Sequence, residues 1–341
     1  MAISRSDLIL KYIVEYFIKH AEPVGSKTLI EEYHLPYSSA TIRNEMFALE
    51  KLGLIEKPHQ SSGRVPSSNG YKYYCENLRE KNVDESLKYS IQQILDKKSQ
   101  SIEETIKASC EILSHMTSLV SVFLGPDSEE EKLLQIQAIK VSENTITSIF
   151  VTDSGYVENK TFLIPNEIKA DDVVNCVKLL NDRLVGTPIS QLGEKMESLK
   201  PLLNDYIIDN DAVYQAILQT FIRFAGDRLS LYGRDEIFNQ PEFKNDVDKL
   251  ENVFKLLNNA SVFKELGEND GVEVKIGDFE NNPDIAMVKA TVKINDDERG
   301  STIALVGPRR MDYDKAVSAL EYLVNQLEEY FRGGNKGEDD E

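Results

Sequence analysis

The sequence contains no tryptophan, three cysteines and four histidines in 341 residues. Cys75, Cys110 and Cys176 are far apart and form no CxxC pair, which argues against a disulfide framework and a zinc site. We therefore expect reduced thiols that serve in packing. The chain also lacks an apolar run of about 18 residues, the length that spans a bilayer. Since MAISRSDLIL lacks a signal-peptide pattern, we expect a cytoplasmic protein.

Motifs of catalytic sites are also missing. The sequence has no GxxxxGK[ST], GxGxxG, HExxH or GxSxG pattern. The histidines at positions 20, 34, 59 and 115 have no acid or nucleophile at a motif spacing. We therefore expect no enzyme, no cofactor and no metal site.

Basic residues are scarce, with 39 Lys and Arg against 58 Asp and Glu, a net charge of -19. Such a chain repels a nucleic acid unless its cations are gathered in one place. Residues 1–75 contain nine Lys and Arg against eight Asp and Glu, a balance of +1, so the remainder carries -20. A near-neutral head on an acidic body can bind DNA selectively if its few cations lie on one face.

The first 53 residues have the pattern of three helices. Apolar side chains recur at helical spacing in residues 5–19, and AEPVG then breaks the helix. Ser26 is expected to cap a second helix that ends near His34, and Ser38 or Ser39 to cap a third that stops at Gly53. The short turn HLPY between the last two is typical of a helix-turn-helix.

Two short strands are expected directly after the third helix. Residues 54–57 and 64–65 flank the turn-forming sequence PHQSSG, which indicates a hairpin. A hairpin that follows a recognition helix is a wing, so residues 1–75 are predicted to form a winged helix-turn-helix that binds DNA.

The third helix has one apolar and one polar face. The apolar stripe of Ile42, Met46, Leu49 and Leu52 is expected in the core. The other face carries short donors, an arginine, an amide and, further along, Phe47, and such groups read base edges in the major groove. The predicted DNA contacts on this helix are Ser39, Thr41, Arg43 and Asn44. The alternative is an ordinary solvated helix face with a serine cap.

The hairpin region supplies the other candidates. Hydroxyls and cations on a thin hairpin can bond phosphates, and an arginine there can reach a minor groove. The alternative is a flexible tight turn, because Ser, Gly and Pro are ordinary turn residues. The predicted contacts are Lys57, His59, Ser61, Ser62, Arg64 and Lys72.

The rest of the chain reads as strands, then helices, then strands. A helix opening at Pro66 and Ser67 and a long helix reaching about residue 116 form a connector. Strands are expected at 118–124, 133–141, 145–152, 156–163, 272–276, 285–294 and 301–306, a mainly helical stretch at 165–270 and a final helix at 312–331. This order implies an α+β domain with a helical insertion in its middle.

Three stretches of the chain have a distinctive sequence: EPVGSKTLI (22–30), SSATIRNEMFALEKLGLIEKPHQSSGRVPSSNGYKYY (38–74) and VGPRRMDYDKAVSALEYL (306–323). They closely resemble the HrcA family, the heat-inducible transcription repressors of bacterial chaperone genes. The resemblance implies the winged head, a GAF-like α+β domain and a mainly helical inserted dimerising domain. It also implies a homodimer on an inverted-repeat operator called CIRCE, nucleoid-associated when bound, whose activity depends on a GroEL-type chaperonin.

Combined with the pattern of elements, the resemblance gives expected domain boundaries. They are 1–75 for the DNA-binding head, 76–116 for connector helices, 117–165 with 235–332 for the GAF-like domain, 166–234 for the insert and 333–341 for a disordered tail.

Three alternatives stay open from the sequence. The chain can be a GAF-type regulator that responds to a small molecule, or a chaperone-interacting scaffold that never touches DNA. Within GPRRMDY, Arg309 and Arg310 can bind an acidic partner, or the stretch can be the loop that launches the last helix with Asp312 as its cap.

Overall fold

A computed structural model describes the protein as two compact units, one of residues 1–124 with 229–341 and one of residues 125–228. The residues it describes are 3–59, 63–97, 101–126, 131–166, 168–203, 228–244, 246–264, 271–277, 279, 282–293 and 300–334. The predicted tail lies outside them from residue 335 onward. Helices and sheets both contribute to each unit, so the expected α+β class is confirmed.

The first unit begins with the three predicted helices, α1 (Arg5–His20), α2 (Ser26–Tyr33) and α3 (Ser39–Lys51). The Ser38 hydroxyl accepts a hydrogen bond from the Thr41 amide and caps α3. The prediction that Ser26 caps α2 is wrong, because the N-cap is Gly25 and no side chain caps this helix. Ser26 is the first helical residue, and its hydroxyl bonds Ser39 instead.

The predicted apolar stripe of α3 is buried except at its end. Ile42, Met46 and Leu49 pack into the core, whereas Leu52 is 70% exposed. The helix ends at Lys51, and Gly53 with a φ of +71° turns the chain away. The predicted stripe therefore included one residue, Leu52, that lies just beyond the end of the helix.

A two-stranded antiparallel sheet follows, β1 (Ile55–Glu56) and β2 (Val65–Pro66), where the sequence predicts the hairpin strands. Arg64 also exchanges two backbone hydrogen bonds with Val24, at 2.8 and 2.9 Å. The segment that leads into the hairpin packs so closely on α4 (Ser68–Asn77) that only glycine fits at position 70. A Cβ atom at Gly70 would lie 1.9 Å from the Leu54 carbonyl oxygen.

The connector is three helices, α4 (Ser68–Asn77), α5 (Glu85–Leu95) and α6 (Ile102–Thr117), where the sequence predicted a short helix and one long one. A capping box formed by Ser101 marks the start of α6 as a separate helix. The helical periodicity of this polar stretch did not reveal the interruption before it. On α4, Tyr71 and Tyr74 are buried, and the Tyr74 hydroxyl donates to Asp314 at 2.8 Å. The N-terminal helices therefore share one core with the C-terminal helix (Tyr313–Gly334).

An antiparallel five-stranded sheet forms the centre of the first unit. Its strands are β3 (Val120–Leu124), β7 (Leu229–Tyr232), β8 (Val272–Ile276), β9 (Ile285–Val292) and β10 (Ser301–Pro308). Their order in the sheet is β7-β3-β10-β9-β8. Side chains of β9 alternate between two apolar clusters, with Ala286 and Val288 on one side and Ile285 and Met287 on the other. Both faces are covered by helices, including α6 and the C-terminal helix on one of them.

Short helices Glu236–Asn239, Val247–Leu257 and Ser261–Lys264 lie between β7 and β8. Beyond β10, the Lys315 amide donates to Asp312 Oδ1 at 3.0 Å, so the predicted cap of the last helix is confirmed. Arg309 contacts Glu56 and the Pro66 carbonyl, and Arg310 contacts Glu242 and the Ile18 carbonyl. Both arginines thus have partners within the first unit.

The strands of the second unit are β4 (Leu133–Ser142), β5 (Thr145–Thr152) and β6 (Val157–Leu163), followed by α7 (Ala170–Leu184), a 3₁₀ turn at Ile189–Gln191 and α8 (Leu192–Leu203). The three strands form an antiparallel sheet in the order β4-β5-β6, and α7 packs on one of its faces. From the sequence these strands were expected in one domain with the other strands, in 117–165. In the structure they belong to a separate unit that begins at residue 125. The difference arises because alternation shows that one face of a strand is buried but not which sheet the strand joins.

The expectation of reduced, packing cysteines is confirmed. All three are free and buried, and burial raises the pKa of each thiol to about 12. Among the described helices, none combines the length and apolar composition needed to cross a membrane.

Candidate nucleic-acid interface

The solvent-facing side of α3 carries a compact set of exposed side chains. Small residues lie beside an arginine, an amide, an aromatic ring and a lysine, and their spacing of three and four residues places them on one helix face. We call this set the α3 face; its members are Ala40, Arg43, Asn44, Phe47, Ala48 and Lys51.

The two carboxylates of α3 are neutralised by cations from other elements. Arg5 Nε lies 2.8 Å from Glu45 Oε1, and hydrogen bonds from Ser6 and Arg5 hold the pKa of the Glu45 carboxyl below its ordinary value. Arg64 Nη2 lies 2.6 Å from Glu50 Oε2. Neither acid therefore offsets Arg43 and Lys51, and the α3 face is positive.

The hydroxyls of two predicted contacts, Ser39 and Thr41, hydrogen-bond to other serine hydroxyls of the same chain. The Ser39 and Ser26 hydroxyl oxygens are 2.8 Å apart, and those of Thr41 and Ser38 are 2.9 Å apart. The first bond holds the beginning of α2 against that of α3. Arg43 and Asn44 are exposed, so their polar groups are accessible to a ligand.

The hairpin presents fewer groups than the sequence suggests. Arg64, expected to be free for a minor groove, donates from Nε and Nη2 to Glu50 Oε2 at 3.0 and 2.6 Å and is only 15% exposed. It anchors the hairpin to α3. Lys57 and His59 are exposed, and Lys72 is exposed on α4. Ser61 and Ser62 lie outside the described residues.

Five exposed cations in residues 1–75 form no ion pair within the described part of the chain. The other four basic residues form ion pairs: Arg5 with Glu45, Lys11 with Glu15 and Glu80, Lys19 with Glu32, and Arg64 with Glu50. Lys27 and Lys51 are not among the DNA contacts predicted from the sequence. For Lys27 a signal was available, because it follows Ser26 at the start of α2, and the short turn between α2 and α3 places the start of α2 beside α3. The five are Lys27, Arg43, Lys51, Lys57 and Lys72.

The arrangement suits recognition of a polyanion rather than catalysis. Unpaired lysines attract phosphates without regard to sequence, whereas an arginine and an amide on a helix can read base edges. These five cations lie in residues 1–75, where the charge balance is +1 because acids are fewer than in the remainder, which carries -20.

Comparison with known proteins gives a consistent result. The model of the HrcA protein C-terminal domain matches residues 103–317. The chain is 36% identical to the heat-inducible transcription repressor HrcA of Halalkalibacterium halodurans, over 96% of this chain and 97% of that protein. It is 38% identical to the repressor of the same name from Bacillus pumilus, over 96% and 97%.

A solved structure has the same fold. The crystal structure of a hypothetical protein at 2.2 Å resolution matches with a TM-score of 0.67, over 98% of this chain and 99% of that one. At 24% identity this likeness concerns the fold alone. The sequence matches, in contrast, extend over nearly the whole chain at more than 30% identity. The chain therefore belongs to the HrcA family, whose members are transcription repressors rather than enzymes.

Proposed function

We propose that the chain is a heat-inducible repressor of chaperone genes that binds an inverted-repeat, CIRCE-type operator in the cytoplasm. The observation that carries the proposal is the α3 face, which exposes Arg43 and Asn44 while both acids of the helix are neutralised from outside. The names of the relatives agree with this function.

In this proposal residues 1–75 act as a winged helix-turn-helix. The order of α2, a short turn, α3 and a hairpin is the order of that motif, in which the second helix lies in the major groove. The five-stranded part of the first unit is assigned as the GAF-like domain and residues 125–228 as its insert.

The α3 face offers two base-reading groups of known preference. A guanidinium pairs in a bidentate manner with guanine O6 and N7, and a side-chain amide pairs with adenine N6 and N7. Arg43 and Asn44 are neighbours on the second turn of α3 and reach adjacent base pairs. Lys57 and Lys72 contribute through phosphates, and the backbone of the hairpin lies along the DNA strand.

Replacement of Lys57 by alanine tests the phosphate role. Because a phosphate contact carries no sequence information, Lys57→Ala is expected to weaken binding to operator and random DNA by the same factor. The slope of log K against log salt concentration should fall by about one charge. Titrations at several salt concentrations measure both, and an effect confined to the operator would make Lys57 a base-reading residue instead.

A homodimer is part of the proposal, because one helix in one groove reads too few base pairs and an inverted repeat has two-fold symmetry. The second unit supports it with an open, partly apolar sheet surface. Exposed apolar side chains there are Leu134, Ile139, Val141, Val157 and Leu163.

Sedimentation of the full chain tests this assembly. Leu163 is 79% exposed, so Leu163→Glu is expected to leave the fold intact but to dissociate a dimer formed through this surface. The matched control is Val247→Glu in the first unit, where Val247 is 77% exposed. A dimer that survives the charge at position 163 as well as that at 247 would remove the sheet surface from the interface.

Regulation by a GroEL-type chaperonin completes the proposal. The head and the body share one apolar core through α4 and the C-terminal helix, so heat that loosens the body also disturbs the reading helix. Operator binding before and after a brief heat step, with and without chaperonin and ATP, tests this. Binding that survives heat and ignores the chaperonin would favour the small-molecule alternative.

One cavity in the first unit bears on that alternative. It has a volume of about 150 Å³ and is lined by Phe17, Glu56, Val65, Pro66, Glu242, Asp284, Arg309 and Arg310. Ligand pockets usually measure about 300–1,000 Å³. The cavity is thus small for a metabolite, and its arginines already contact Glu56 and Glu242.

A further inference from the structure

Phe47 is the exposed aromatic residue at the middle of the α3 face. Its side chain is 54% exposed, although Phe is among the residues most often buried. A single exposed apolar residue is ordinary on a protein surface and carries no meaning by itself. The position of this one, between the base-reading pair and Lys51, gives it significance.

The neighbours of Phe47 contact its ring on one side and leave the rest of it accessible. Lys51 Nζ lies 4.6 Å from the ring centroid, a cation-π contact one helical turn away. Ala40 and Ala48, on the same face, are too small to cover the ring or to keep the helix away from a groove. The ring is therefore presented to solvent, with Lys51 beside it.

The position along α3 matches the reach of a recognition helix. Phe47 lies three residues beyond Asn44, about 4.5 Å along the axis at 1.5 Å per residue, which is between one and two times the roughly 3.4 Å rise of a base pair. The residues of a recognition helix that touch bases extend over about two turns. A helix that uses Arg43 and Asn44 in the groove brings Phe47 to the same groove floor.

In the major groove the apolar group that a phenylalanine can read is the C5-methyl group of thymine. We propose that Phe47 makes this contact in each half-site and is a specificity-determining residue for thymine, with Lys51 as its positioning residue. The inference rests on the proposed function, because it requires that α3 enters the major groove.

The contact is tested by replacing each thymine of the inverted-repeat duplex with deoxyuridine, which removes the methyl group alone. For the wild-type protein, one symmetric pair of positions is expected to lower affinity about fourfold per half-site, the value of one buried methyl group. For Phe47→Ala the operator affinity is lower from the start, and deoxyuridine at that same pair has no further effect. Phe47→Leu should retain part of the response.

Controls separate this inference from the proposed function. Tyr89→Ala, at an aromatic residue of α5 that is also exposed, should behave as wild type at every position. Unchanged thermal unfolding of Phe47→Ala excludes misfolding. If wild type and Phe47→Ala respond alike to every deoxyuridine, the methyl contact is wrong while operator binding stands. If the wild type does not prefer the inverted repeat to random DNA, it is the proposed function that fails.

Discussion

An Arg43→Ala variant is expected to lose about 1 to 3 kcal/mol of operator binding free energy per half-site while keeping its affinity for random DNA. Arg43 is exposed, and within the described residues its guanidinium forms no ion pair or side-chain hydrogen bond. Its removal should therefore leave the fold intact. The loss arises because a bidentate contact with guanine is made only on the correct base pair.

The effect should also be specific to one base pair. Arg43→Ala is expected to bind operators mutated at the guanine it reads as well as it binds the intact operator, so base preference there is lost. Asn44→Ala should relax preference at an adjacent position. Because each subunit of a dimer reads one half-site, the loss of binding free energy on the full operator is twice the loss per half-site.

Arg234→Ala is the matched control, since Arg234 is exposed in the first unit and loses the same charge. It should change the affinity for neither DNA. Equal losses on operator and random DNA for Arg43→Ala would show that the side chain contacts a phosphate. No loss on either would place the reading surface elsewhere.

The largest effect on stability is expected in the second unit, for Arg228→Ala. Glu131 is 0% exposed, and Arg228 Nη1 donates to its Oε1 at 2.9 Å while Nη2 donates to Oε2. The Ser154 hydroxyl also donates to Glu131, and the Arg228 guanidinium lies 3.6 Å from the Tyr156 ring centroid. Alanine at position 228 leaves a buried carboxylate without its cation, which costs about 3 to 5 kcal/mol of unfolding free energy.

Two further variants separate a buried charge from lost packing. Because well-packed apolar residues often replace a buried ion pair at little cost, Glu131→Met with Arg228→Met should recover most of the stability. Glu251→Ala breaks an exposed pair with Lys255 and should cost less than about 1 kcal/mol. Thermal unfolding of the three proteins decides, and a double variant as unstable as Arg228→Ala would contradict the account.

The secondary structure of residues 1–75 could be predicted from the sequence. Helical periodicity and turn residues indicated α1, α2, α3 and the hairpin strands, because those signals lie within a few residues of the structure they specify. Arg43 and Asn44 were found as exposed polar residues for the same reason. Leu52 was misplaced because a period does not state where the helix stops.

Contacts between residues distant in sequence could not be predicted in this way. The ion pair of Arg64 with Glu50 and the bond of Ser39 with Ser26 each join residues 13 or 14 positions apart, and they give two of the predicted contacts a partner within the protein. The strand β7 was missed since it is four residues long and its partner β3 lies more than 100 residues away. For the same reason β4, β5 and β6 were expected in one domain with the other strands, whereas they form a sheet of their own in the second unit.

The central claim is that a dimer reads two half-sites through α3. The most direct test is a titration, at one fixed salt concentration, of the full chain against three duplexes: the inverted repeat, the repeat with one half-site scrambled and a fully scrambled sequence. The account predicts binding to the intact repeat at least about 10³-fold tighter than to the scrambled duplex, with most of that preference lost when one half-site is scrambled. Equal affinity for all three duplexes would contradict it.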